Sequence, residues 1–141
     1  MTSTDMAYGL VMLVDDGELD NFLHRKVIER AHFAKKIVVA NSGREALEYL
    51  ETNENLEGGL PNLIFLDINM PGMDGFHFLD AFKDLSTSIR DTCKIMILSS
   101  SINQGEIERI TKDKHVLKFI DKPLRAYDLA KIRSILPGAS N

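Results

Sequence analysis

Five short apolar runs constrain this chain more than any other feature of its sequence. They cover residues 10–14, 37–40, 63–66, 95–98 and 116–120, and each stops abruptly at polar residues. The stops are Asp15-Asp16, Asn41-Ser42-Gly43, Asp67, Ser99-Ser100-Ser101 and Asp121-Lys122-Pro123. Runs of four or five residues are too short to be independent helices, and they lack the alternation of a strand wetted on one face. They predict strands buried on both faces, as in a parallel sheet covered by helices.

The segments between the runs carry the other period. Leu19, Phe22, Leu23, Val27 and Ile28 recur at three- and four-residue steps, which predicts one apolar helical stripe. Ala46, Leu47, Tyr49 and Leu50 follow the second run, and Phe76, Phe78, Leu79, Phe82 and Leu85 the third. Ile107 and Ile110 follow the fourth, and Leu129, Ile132, Ile135 and Leu136 the fifth. Strand and helix thus alternate five times. The expected fold is α/β, a doubly wound five-stranded parallel sheet in a three-layer (βα)5 sandwich, because right-handed crossovers put helices on both faces. Residues 52–62, with Asn53, Asn55, Gly58, Gly59 and Pro61, read as a loop, and 137–141 as a polar tail.

At 141 residues the chain is read as one domain, 1–141, with a core over about 9–136 and no output domain. Its 17 basic and 21 acidic residues leave a net charge of -4, which argues against nucleic acid as a partner. The single cysteine, Cys93, excludes an internal disulfide framework, fits a reducing, cytoplasmic setting and reads as an inert thiol. No apolar run nears the roughly 20 residues that span a bilayer, so no membrane role is expected. His24 and His32 read as surface residues of the first helix, and His77 and His115 lack metal-ligand spacing.

In open parallel sheets, ligands bind beyond the carboxyl ends of the strands. That rule gathers Asp15, Asp16, Asp67, Ser99 and Lys122 at one edge. Three clustered carboxylates repel one another and must either protonate or hold a cation. A set of hard oxygens suits Mg²⁺. Any one of these residues is more commonly a turn former, a helix cap or a solvated lysine. Their joint arrival at successive strand ends makes coincidence the weaker account.

The pieces Leu13-Val14-Asp15-Asp16, Leu66-Asp67-Ile68-Asn69-Met70-Pro71-Gly72-Met73-Asp74-Gly75, Ile97-Leu98-Ser99-Ser100 and Phe119-Ile120-Asp121-Lys122-Pro123 occur in that order. Together they resemble the receiver domain of response regulators, the CheY-like family with its flavodoxin-like fold, over almost the whole chain. The resemblance implies that Asp67 is the phospho-acceptor. It implies that Asp16 binds the metal directly, that Asp15 acts mostly through metal-bound water, and that Asp67 and the backbone carbonyl of Asn69 complete the protein ligands. The metal would be Mg²⁺, with Mn²⁺ as a substitute. Ser99 would turn onto a phosphoryl oxygen, with the Ser100 hydroxyl close to the phosphoryl site. Lys122 would pair with Asp67 or its phosphate, Phe119 would be the aromatic switch, and Pro123 would follow a cis peptide. Gly17 and Ser100 depart from the commonest residues of the family, and Asn69 and Ser101 occupy positions tied to phosphoryl lifetime.

The function so implied is that of a stand-alone response regulator, phosphorylated by a sensor histidine kinase in a Mg²⁺-dependent reaction. It would signal through protein contacts on the face built by the fourth predicted helix, the fifth strand and the last helix. A phosphorelay intermediate serving a histidine phosphotransfer protein, or a phosphate sink, are alternatives, and the chain would be a monomer or weak homodimer. Enzyme activity would be limited to its own phosphorylation and dephosphorylation. A haloacid-dehalogenase-type phosphatase is a remote reading, since it needs an acid two residues after its nucleophile and Asn69 stands there. A nucleotide or flavin module is equally remote, because no glycine-rich phosphate loop follows the first run.

Overall fold

The computed structural model describes residues 7–100 and 102–136. Ser101 and the 137–141 tail lie outside the described residues, as do 1–6. The elements are β1 (Tyr8–Val14), α1 (Glu18–Arg30), β2 (Ala34–Ala40), α2 (Gly43–Asn53), β3 (Leu63–Leu66), α3 (Gly75–Phe82), α4 (Thr87–Thr92), β4 (Lys94–Ser99), α5 (Gln104–Thr111), β5 (Val116–Asp121) and α6 (Ala126–Ile135). All five strands pair in parallel in the order β2-β1-β3-β4-β5, so the doubly wound sandwich is as the apolar runs predict.

Alternation along the strands divides the core into two layers. Met12, Val14, Ile64, Leu66, Ile95 and Ile97 face α2, α3 and α5 and pack with Leu50, Phe78, Phe82 and Ile110. Val11, Leu13, Phe65, Met96 and Leu98 face α1 and α6 and pack with Ile28, Phe33, Leu129 and Ile132. Burial on both faces holds for β1, β3 and β4. The edge strands β2 and β5 are only partly buried, because each has a neighbour on one side alone.

Three expectations need correction. A sixth helix, α4, stands between α3 and β4 where one helix was read. Ser86 caps it by accepting from the Ile89 N–H, and Ile89 is its one buried side chain. Of the stripe read on α1, Val27 and Ile28 do pack on the core, but its N-terminal part does not. Leu19, Phe22 and Leu23 are 68%, 56% and 46% exposed, while Asn21, His24 and Ile28 point inward. The N-terminal half of α1 lies over the polar end of the sheet, and that is what its inner face must match. His24 is accordingly buried rather than a surface residue, and burial with the nearby Lys122 charge holds its pKa below the usual imidazole value. His32 is exposed, in the left-handed conformation that ends α1.

Candidate phosphoryl-transfer site

The switch in strand order falls between β1 and β3, and the carboxyl ends of β1, β3, β4 and β5 meet there. Asp15 continues the ladder beyond β1, its N–H donating to the Ala40 carbonyl, and Asp67 does the same beyond β3, donating to Val14. Backbone pairing therefore fixes both acids before any side chain contributes. Gly75 clamps the loop after Asp67 onto the sheet. Its N–H donates to the Ile68 carbonyl, and a Cβ there would lie 2.7 Å from Ile68 Cα and 2.8 Å from the Asp67 carbonyl oxygen.

Carboxylate oxygens of Asp15, Asp16 and Asp67 all lie within 4.8 Å of one another. Asp15 and Asp67 are buried and Asp16 is exposed. The Asp67 carboxylate accepts at Oδ1 from the Ser99 hydroxyl at 2.7 Å and from the Asn69 N–H at 3.2 Å, and at Oδ2 from Lys122 at 3.4 Å. Burial raises the pKa of Asp67 above the usual carboxylate value. The Ser99 hydrogen bond and the Lys122 charge offset this only in part, and the Asp15 charge adds to it.

Lys122 Nζ lies 2.7 Å from Asp15 Oδ2, 2.7 Å from Asp20 Oδ2 and 3.4 Å from Asp67 Oδ2. Burial works to lower its pKa. The hydrogen bonds to Asp15 and Asp20 and the charges of Asp67 and Asp15 outweigh that, and the ammonium is held above its ordinary value. The peptide after it, Lys122-Pro123, is cis as expected. Its own N–H donates to the Ser99 carbonyl, which ties the backbones of the hydroxyl and the lysine together.

The remaining expected residues fall around this centre. Ser99 is fully buried, and its hydroxyl already turns inward onto Asp67. Ser100 is exposed, and its carbonyl accepts from Asn69 Nδ2, so its backbone rather than its hydroxyl bridges the two loops. Phe119 is partly buried against the α2–α3–α5 core layer and pairs in register with Ile97. Ser101 lies outside the described residues.

Two participants went unread in the sequence. Asp20 shares Lys122, and Asn21 donates from Nδ2 to the Asp15 carbonyl at 2.8 Å. The available signal was position. Both sit in the first turn of a helix that starts where β1 ends, and helical side chains lean back toward the helix N-terminus.

The donor set suits a small hard cation. In octahedral Mg²⁺ at about 2.1 Å, oxygens on opposite sides lie roughly 4.2 Å apart. The acids' oxygens, all within 4.8 Å of one another, are close enough together to share such an ion. One ammonium among Asp15, Asp16, Asp20 and Asp67 leaves an excess of negative charge for a cation to meet.

Comparison with known proteins agrees with this geometry. Residues 11–133 match the response regulator receiver domain, and the chain belongs to that family. Over 133 residues it is 33% identical to the two-component response regulator ARR15 of Arabidopsis thaliana, covering 89% of this chain but 61% of ARR15. It is 26% identical over 124 residues to response regulator Rcp1 of Synechocystis sp., covering 87% of this chain and 82% of Rcp1. A two-component response regulator from Cytophaga hutchinsonii has a similar structure, with a TM-score of 0.84 at 29% identity, covering 92% of this chain and 96% of that one. The protein is a response regulator of two-component phosphorelay signalling, a family whose general role is signalling.

Proposed function

We propose that Asp67 accepts a phosphoryl group from a phosphohistidine, and that the resulting acyl phosphate is the signal. The observation that carries this is the convergence of Ser99 Oγ and Lys122 Nζ on the two oxygens of one buried carboxylate. An oxygen of Asp67 attacks phosphorus, a P–O bond forms, and the P–N bond to the donor imidazole breaks with its electron pair leaving on nitrogen. Phosphoryl transfer asks a protein mainly for positioning and charge neutralisation. Lys122 supplies one positive charge, Ser99 one hydrogen bond, and the Asn69 N–H another. Asp15, Asp16, Asp67 and the Asn69 carbonyl would hold Mg²⁺, or Mn²⁺ in its place, which neutralises phosphoryl oxygens when bound.

The phosphodonor is a sensor histidine kinase or a histidine phosphotransfer protein. Its dock is the apolar strip of α1, where Phe22 and Leu23 lie exposed beside Pro123, next to the lysine of the site, and Leu19 is exposed one turn earlier on the same helix. Lys26 and Arg30 flank that strip with positive charge. Output contacts belong to the α5–β5–α6 face, where Tyr127 is exposed with Lys131 stacked 4.8 Å from its ring centroid.

The test compares two donors. Replacing Leu19 and Phe22 together with serine is expected to slow transfer from an autophosphorylated histidine kinase at least about tenfold, as for loss of interface anchors. Labelling by acetyl phosphate, which needs no dock, should persist. Equal transfer from the kinase to both proteins would remove the dock. Failure of both donors on wild type would remove the phospho-acceptor role.

A further inference from the structure

We infer that Asp20 is a positioning residue that sets the resting place of Lys122 and competes with the phosphoryl group for it. The inference rests on the phospho-acceptor reading of Asp67 and adds to it a residue that limits how long or how tightly the phosphoryl state is held.

Three observations support it. Lys122 Nζ sits at 2.7 Å from Asp20, as close as to the buried Asp15, and farther, at 3.4 Å, from the nucleophile Asp67. An ammonium has three donors, and here all three are directed to carboxylates, so a phosphoryl oxygen gains a hydrogen bond from Lys122 only by displacing one of them. The second observation is Gly17. A Cβ at that position would lie 3.2 Å from Asp15 Oδ1 and at an ordinary contact distance, 3.4 Å, from Asp20 Oδ2, so the bare Gly17 backbone lies against both of the acids nearest the lysine. The third is the exposure of the Asp20 side chain, 43% against 7% for Asp15 and 6% for Asp67. Asp20 is the partner that can swing into solvent, which suits a contact that must open.

Direction follows from charge. Phosphorylation adds about 1.5 to 2 negative charges next to Asp67. Asp20 then opposes the product twice, by like-charge repulsion and by holding the lysine that would pair with it. Neutralising Asp20 relieves both. A more ordinary role exists for an acid in the first turn of a helix, which is favourable interaction with the helix dipole. Glu18 lies in the same turn, is exposed, and provides the control.

The experiment uses the full chain with Asp20→Asn, Asp20→Glu and Glu18→Gln, each checked for folding by thermal melting. The first readout is the affinity for beryllofluoride, a phosphoryl mimic, at saturating Mg²⁺ by calorimetry. Asp20→Asn is expected to bind about two- to fivefold tighter, the range for one half-exposed charge at contact distance. Asp20→Glu should lie near wild type, and Glu18→Gln within about twofold of it. The second readout is the NMR signal of the Lys122 ammonium in Mg²⁺ alone, which should shift in Asp20→Asn and not in Glu18→Gln. Equal or weaker beryllofluoride binding by Asp20→Asn overturns the inference, and so does an equal gain in Glu18→Gln or an unmoved Lys122 signal. A wild type that takes up no beryllofluoride refutes both competition at Asp20 and the phospho-acceptor reading, whereas binding by wild type with no change in Asp20→Asn refutes the role of Asp20 alone.

Discussion

Replacing Asp67 with asparagine should make the metal-free protein more stable, although it destroys the proposed acceptor. The Coulomb terms on Asp67 nearly offset each other. At an effective dielectric constant of about 20, repulsion from Asp15, whose carboxylate lies within 4.8 Å, is at least about 3.5 kcal/mol, and attraction to Lys122 at 3.4 Å is about 5 kcal/mol. Asp16 is exposed and adds little after screening. Burial then decides the sign. Removing a carboxylate from water costs several kcal/mol, and the hydrogen bonds from Ser99 and Asn69 return only part of it, as the raised pKa of Asp67 indicates. Asparagine keeps an acceptor for both donors, and Lys122 keeps Asp15 and Asp20. The expected gain is about 1–2 kcal/mol in unfolding free energy, or about 2–4 °C in Tm per kcal/mol for a domain of this size.

The assay is urea unfolding followed by circular dichroism in EDTA at pH 7. Because the folded pKa of Asp67 lies above its unfolded value, its charge burdens the fold fully above the folded pKa, and the burden disappears as pH falls through the unfolded one. The advantage of Asp67→Asn should therefore vanish as pH drops below about 4. Saturating Mg²⁺ should reverse the order. A ligand at a hundred times its Kd stabilises wild type by about 2.7 kcal/mol, and the variant has lost one of the carboxylates that would hold it. An asparagine variant no more stable than wild type in EDTA at pH 7 would refute the reasoning, because it would mean that the buried carboxylate is fully compensated without a cation.

Other substitutions test neighbouring parts of the account. Ser99→Ala removes a buried hydrogen bond to a carboxylate and should cost about 1.5–3 kcal/mol in urea unfolding; Asp67 should then titrate at still higher pH by carbonyl NMR. Gly75→Ala places a Cβ against the backbone of Ile68 and Asp67, and should cost at least about 1–3 kcal/mol and slow phosphorylation from acetyl phosphate, since the acceptor loop must shift. Cys93 is buried, and burial pushes its thiol up to about 12. A thiol reagent at pH 8 should therefore modify it only at the rate of unfolding.

Legibility in the sequence followed the strength of the physical signal. Buried parallel strands leave uninterrupted apolar runs, and those runs end where the chain leaves the sheet. Fold class and the placement of Asp15, Asp67, Ser99 and Lys122 could therefore be read together. The face of α1 could not be read that way. Its inner residues Asn21 and His24 are polar because they cover the polar end of the sheet, while Leu19, Phe22 and Leu23 face outward. Hydrophobic periodicity assumes an apolar core beneath every helix, and that assumption fails beside a charged site. The contact between Asp20 and Lys122 spans 102 residues and depends on how α1 meets β5, which no local pattern encodes. Helix α4 was missed because Ile89 is its only apolar side chain, so it leaves no period to detect.

The central claim is tested most directly by intact-mass spectrometry after incubation with acetyl phosphate and Mg²⁺, with Asp67→Asn alongside. The account expects wild type to gain the mass of one phosphoryl group, the gain to be lost in EDTA, and the variant to gain nothing. The same gain on Asp67→Asn would place the phosphoryl group elsewhere, and no gain on wild type from acetyl phosphate or from any of a panel of phosphorylated histidine kinases would contradict the account itself.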